Sequence, residues 1–340
     1  MTTRTILLSA VLFFATGFVS KAQTGDSSTK NVSVPFRFGI FPGLSTQGKA
    51  DAYTTSNFSL NLWGGYTGSV DGIELSSLFN MDRGDVQFVQ AAGLFNTVGG
   101  NVRGVQAAGI FNMARKNVSA VQSAGIYNHA GKNFSGLQAA GIANFSGGVM
   151  RGVQAAGIVN YAKHVKGIQI GLINIADTSE GFHIGLINIV KKGYHKLFVS
   201  ANEVMNANIA IKTGNPKLYN ILLAGVNPGS NNKVFSYGYG LGREIKLGKT
   251  LTINPEISSQ YLYLGSWDYS NWLSKVQVLV NVQLTKGIAL TGGPSFNVYY
   301  SNQNAAIKGY KFNIPSYSNF ELWDDNVTGW IGWNAGLTFF

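Results

Sequence analysis

Four histidines and a handful of acids are the side chains here that could do acid–base or metal chemistry, and their spacing argues against it. His129 directly follows a recurring asparagine, His164 lies in a turn-forming stretch, His183 takes a place that glutamine fills elsewhere, and His195 follows Lys191-Lys192-Gly193-Tyr194. No two have the H-x-x-x-H spacing that puts paired imidazoles on one helix face. Glu74 also stands where glutamine stands later, so it should project into the same interior, where a carboxylate among amides could tune ion passage. Glu244 and Glu256 fall on the polar side of later alternating segments. Gly238-x-Gly240-x-Gly242 alternates with Tyr237, Tyr239 and Leu241, which makes it a strand with a small-residue face rather than a phosphate loop. No serine, histidine and acid with an elbow motif are visible. The sequence predicts no catalytic residue, no metal site and no cofactor.

The side chains that do recur with regular spacing are amides. Gln90, Gln106, Gln122, Gln138 and Gln154 repeat every sixteen residues, followed six residues later by Asn96, Asn112, Asn128, Asn144 and Asn160. The closing asparagines run from Asn80 to Asn160 at that interval, then to Asn174 and Asn188 at fourteen. The shared phrase, Gly-Val-Gln-Ala-Ala-Gly-Ile-Phe-Asn at Gly104 to Asn112, recurs at Ala120 to Asn128, Gly136 to Asn144 and Gly152 to Asn160. So short a period marks a repeated strand-sized unit rather than a catalytic domain.

Strands must position these amides. Val105, Ala107, Gly109 and Phe111 alternate with Gln106, Ala108, Ile110 and Asn112, so one face has no polar side chain and the other carries both amides. Turn formers separate the copies, among them Arg83-Gly84-Asp85, Arg115-Lys116-Asn117 and Gly131-Lys132-Asn133. A strand of about eleven residues and a turn of about five fit each repeat, and about 9–11 tilted residues cross a bilayer. On this reading the ten amides and Glu74 face a barrel lumen, while Val105, Val121 and Val153 face lipid.

Composition points the same way. Residues 1–22 read as a secretory signal peptide, with Arg4 before an apolar run, Ile6 to Val19, and Ser20-Lys21-Ala22 as the cleavage signal. The run falls short of the roughly 20 apolar residues of a spanning helix. Removing Arg4 and Lys21 lowers the formal net charge from +11 to +9. A basic balance can mean nucleic acid, but an exported chain without an Arg/Lys-aromatic cluster argues against that partner. With no cysteine, a lipoprotein anchor, disulfides and thiolate zinc sites are all excluded. Residues 23–34 read as a flexible leader.

Beyond the repeats, Val276, Val278, Val280, Val282 and Leu284 share one parity, against Gln277, Asn281 and Gln283. Asn254, Glu256, Ser258 and Gln260 oppose Ile257, Tyr261 and Tyr263. The final segment, Ile331, Trp333, Ala335, Leu337 and Phe339, resembles the C-terminal strand of bacterial outer-membrane barrels, which the barrel-insertion machinery reads, although the closing Phe340 sits on the opposite parity. The repeats, including the variant Gly167-Ile-Gln-Ile-Gly-Leu-Ile-Asn174, resemble those of bacterial surface-repeat proteins, a family without an assigned reaction.

The fold expected is therefore all-β: one closed antiparallel transmembrane barrel of about 16 strands over residues 35–340, counting alternating segments and including a repeat block at 70–190. A rival is a β-solenoid of repeats joined to a barrel, because identical units carry no net stagger and a closed barrel needs shear. The two differ in register: an antiparallel hairpin sets Gln106 against Asn128 and Asn112 against Gln122, whereas a solenoid stacks Gln106 on Gln122. Trp330, Trp333, Tyr261 and Tyr263 are expected in interfacial girdles, with Arg103 and Arg151 near a rim. The aromatic-rich connection from Asn302 to Gly329 reads as a lid over the mouth. Expected partners are outer-membrane lipid and lipopolysaccharide. The expected role is a passive pore or structural surface component, with adhesion or partner binding as the alternative.

Overall fold

The computed structural model describes residues 32–340 apart from 230, 312, 313, 315–318 and 323. The expected signal peptide and most of the expected leader lie outside the described residues. Val32, Ser33 and Val34, assigned to that leader, open the first strand, Val32–Phe41.

The chain is all-β and forms two sheets, of which the second is a closed barrel. Tyr194–Asn202, Ala207–Asn215, Leu218–Asn227, Val234–Gly242, Leu251–Tyr263, Asn271–Gln283, Ile288–Ser301 and Asp324–Phe339 pair antiparallel in chain order. The last strand returns to the first through Leu197↔Phe339 and Asn202↔Asn334. Among the described residues the barrel thus has eight strands, not about sixteen; the larger count included the repeats, which never enter it. Alternation sorts the side chains as the sequence suggests. Val276, Val278, Val280 and Val282 point outward at 38–53% exposure, while Lys275, Gln277 and Asn281 point inward and are buried, as are Asn254, Glu256, Ser258 and Gln260.

The repeats stack as a β-solenoid. Each copy holds two short strands rather than one long one: Val102–Ala108 with Phe111–Ala114, then Val118–Ala124 with Tyr127–Ala130. Every strand runs parallel to its counterpart one coil away, with Gln106↔Gln122 and Asn112↔Asn128 in register. The expected pairing of Gln106 with Asn128 and Asn112 with Gln122 is overturned. Period-two alternation is common to both arrangements, but only stacking lets identical units satisfy their backbone and amide groups on their own copies without stagger.

What breaks each repeat in two is the Ala-Gly-Ile corner. A Cβ on Gly125 or Gly141 would lie 2.2 Å from the carbonyl oxygen of the glycine one coil earlier, so the chain can turn there only with no side chain. The next residue is thrown outward. Leu78, Leu94, Ile110, Ile126, Ile142, Ile158, Leu172 and Leu186 form one row along the corner, each 38–47% exposed. The opposite edge carries the charged turns, and beneath it Val86, Val102, Val118, Phe134, Met150 and Val165 stack as a buried column. Each such side chain contributes about 1.5–3 kcal/mol through burial. Val105 and Val121 do point outward and Val153 is half-buried, but on a solenoid wall rather than a barrel.

Candidate functional site

The ten predicted amides are all brought together and all buried, in the solenoid core rather than in a barrel lumen. They form two ladders of opposite direction. In the glutamine ladder each side chain donates toward the N-terminus: Gln169 to Gln154, Gln154 to Gln138, Gln138 to Gln122, Gln122 to Gln106 and Gln106 to Gln90, at 2.7–2.8 Å. In the asparagine ladder each donates toward the C-terminus, from Asn80 through Asn96, Asn112, Asn128, Asn144, Asn160 and Asn174 to Asn188, at 2.8–3.0 Å. The second amide hydrogen explains why asparagine is needed. Asn112 Nδ2 also donates to the Ser123 carbonyl at 2.8 Å and Asn128 Nδ2 to that of Ala139 at 2.7 Å, which ties the corner of the next coil to the core. A buried amide is costly unless bonded, and each such bond contributes about 0.5–1.5 kcal/mol net.

The ends of the ladders are charged, and they set the directions. Arg37, fully buried, can only donate; its Nη1 reaches Asn61 Oδ1 at 2.6 Å, and Asn61 Nδ2 passes to Asn80 Oδ1 at 3.1 Å. Gln90 at the end of the other ladder donates to Glu74 Oε2 at 2.8 Å and also to Asp82. Glu74 is therefore a terminal acceptor in the buried cap of the solenoid, not an acid of the barrel lumen. Arg37 is neutralised by Asp51 through Nε–Oδ1 and Nη2–Oδ2 contacts of 2.9 Å. Burial raises the pKa of Glu74. Asp82 is raised well above the usual carboxylate range, by burial first and then by the Glu74 charge.

Sequence reasoning missed Arg37, Asp51 and Asp82. For Asp82 a signal existed: it lies two residues beyond Asn80, on the same inward parity.

At the far end, His183 takes the glutamine position, paired with Gln169 in register. Its Nε2 meets Ser179 Oγ at 2.7 Å, while its Nδ1 and Gln169 Oε1 are both buried without a hydrogen-bond partner. Burial lowers its pKa to about 4. His129 stacks on Phe145 and accepts from or donates to Tyr127 Oη at 2.8 Å; its pKa is lowered by burial. His164 contacts Glu180 at 3.3 Å, and His195 Nε2 contacts the Val190 carbonyl at 2.6 Å. The four histidines are not brought together. Among the described residues no group of three His, Cys, Asp or Glu side chains could hold a metal ion.

The solenoid meets the barrel at its last coil. Asn188 donates to Asn220, whose own amide bonds the Gly185 carbonyl at 2.6 Å; Tyr239 Oη bonds the same carbonyl at 2.8 Å. Inside the barrel, Glu256 accepts from Lys212, from Tyr219 Oη at 2.6 Å and from Gln277 Nε2 at 2.9 Å. Farther along, Glu203 accepts from Asn297 Nδ2 and Trp330 Nε1, both at 3.0 Å. Trp330 is thus buried on the inward parity of Asn334 and Thr338, not in a girdle, whereas Trp333 is outward and exposed. Tyr263 ends its strand and packs on Trp267, with Tyr261 stacked on the same indole. Arg103 and Arg151 are exposed on the charged edge of the solenoid, because their segments belong to coils and not to barrel strands. Of the aromatic connection, Phe312, Tyr317 and Trp323 lie outside the described residues; Tyr310 packs edge-on against Tyr263.

The chain matches no protein-family model and no curated protein.

Proposed function

We propose that the protein is a non-enzymatic outer-membrane β-barrel whose role is structural: it anchors the solenoid and does not conduct. The observation that carries this reading is the inverted polarity of the barrel, with valines outside and a network of Lys212, Glu256, Gln277 and Asn281 inside. A solvated barrel would place them the other way round, and hydrocarbon accepts a strand only when closure leaves no unpaired edge. The cluster of Tyr261, Tyr263, Trp267 and Trp272, where strand Leu251–Tyr263 ends and Asn271–Gln283 begins, supports the reading, since aromatic side chains favour a membrane interface. The last strand, with Ile331, Trp333 and Leu337 outward, is suited to the insertion machinery.

The lumen favours an anchor over a pore. Eight strands enclose little more than their own side chains, and a space of about 40 Å³ lies beside Lys212 and Glu256, room for roughly one to three waters. Outer-membrane lipid and lipopolysaccharide would be the surroundings. Extraction only by detergent, heat-modifiable migration and no conductance in a planar bilayer are expected. Release by salt or alkali without detergent would defeat the membrane reading; stable single-channel steps would defeat the closed anchor.

A further inference from the structure

We propose that the solenoid is itself a membrane-surface element: its corner row, from Leu78 to Leu186, lies in lipid beside the barrel. This rests on the reading of the barrel as membrane-spanning. Eight half-exposed aliphatic side chains in a line, one per coil at about 4.8 Å spacing, make an apolar ridge of about 34 Å. Val105, Val121 and Leu137 continue it onto one wall. Soluble surfaces seldom carry so long a contiguous apolar patch without a partner for it.

Two observations identify lipid as that partner. The first is continuity. Gly185, immediately before Leu186 of the corner, accepts hydrogen bonds from Asn220 and Tyr239. Those two residues have the outward parity of Leu222 and Tyr237, which are exposed on the barrel wall. The corner row therefore runs directly onto the apolar outside of the barrel.

The second observation is charge. Exposed charges of the repeat block gather away from the corner and are mostly basic: Arg103, Arg115, Lys116, Lys132, Arg151 and Lys166 face few acids, Asp85 and Glu180 among them. The short-turn end of the barrel, where the solenoid joins, adds exposed Lys217, Arg243, Lys246, Lys249 and Lys286. An apolar ridge below basic side chains is the arrangement that holds an element in the interface of an anionic leaflet. Outer-membrane barrels turn their short connections toward the periplasm. The leaflet is then the inner one, with its anionic phospholipid headgroups.

The absence of cysteine makes the test clean. Ile126→Cys on the corner, Lys132→Cys on the charged edge and Val278→Cys on the barrel wall are each labelled with bimane in the full chain. The labelled proteins are folded into phosphatidylethanolamine–phosphatidylglycerol vesicles. Expected is quenching at Ile126 and Val278 at least threefold stronger by acyl-chain nitroxide lipid than by aqueous iodide, and the reverse at Lys132. Iodide quenching at Ile126 with lipid quenching at Val278 overturns the proposal and leaves the barrel reading intact; iodide quenching at Val278 overturns the barrel reading instead. Shielding of Ile126 from both quenchers, with disulfide formation between copies of the unlabelled variant, would assign the ridge to a second copy of this chain and overturn the lipid assignment.

Discussion

Asn188 donates its side-chain amide to Asn220 across the boundary between the two sheets, so the asparagine ladder ends on the barrel wall rather than in solvent. Both residues are buried there. Loss of one partner leaves the other buried and unsatisfied, at a cost of about 1–3 kcal/mol. Asn220→Ala should therefore lower the melting temperature of the solenoid, followed by circular dichroism on the full chain in detergent. The double variant with Asn188→Ala should lose less than the sum of the singles, since the two side chains share one bond. Simple additivity would mean that the contact does not couple the two sheets.

His183 is the point at which the glutamine ladder fails to close. His183→Gln should supply the missing donor to Gln169 Oε1 and stabilise the protein by about 0.5–1.5 kcal/mol. It should also remove an acid sensitivity. The folded pKa is lowered to about 4 from 6.5, so the stability due to neutral His183 is present above 6.5 and lost as pH falls toward 4. Unfolding free energies measured between pH 7 and 4 should fall in the parent and fall less in the variant.

Asp82 should act in the opposite sense. Its folded pKa is raised by burial and by Glu74, so the stability due to its proton is full below the unfolded value and declines as pH rises through the folded one. Asp82→Asn keeps the shape and removes the titration. A gain of about 1 kcal/mol at neutral to alkaline pH is expected, of the size of one buried polar mismatch, with little change at pH 4. Equal denaturation midpoints for parent and variant at pH 8 would show that burial and Glu74 do not raise the Asp82 carboxyl in the cap.

Gly125→Ala should be severe for so small a change. The new methyl would meet the Gly109 carbonyl 2.2 Å away, and that carbonyl belongs to a coil fixed on both sides. Overpacking of this kind costs about 1–3 kcal/mol. Ser119→Ala, on the exposed charged edge, should leave the melting temperature within a degree or two.

Much of this was legible before the fold was known, and the failures have a common cause. Alternation placed Val276 and its neighbours outside the barrel, Asn254 and Glu256 inside, and every repeat amide in an interior. Alternation cannot tell a parallel neighbour from an antiparallel one, because both keep the same sides. The signals that could have decided it were the exactness of the repeat, which offers no shear, and the glycine at the corner, where Gly109 stands in the middle of what was read as one strand of about eleven residues. Residue type alone points Trp330 to a girdle, but its parity is that of Asn334 and parity decides. Arg37 and Asp51 could not be found, since their pairing depends on the three-dimensional end of the stack.

The opposed directions of the two ladders bear on how such a stack can grow. Aligned amides in a single file would lengthen one dipole coil upon coil, although the partial charge left at each end stays that of one amide. Here the increment from each glutamine is offset by that from its asparagine. One arginine and one acid pair therefore serve equally for a few coils or for many. Copy number is free to drift by duplication or loss of whole sixteen-residue units, with the terminal caps and the barrel junction unchanged.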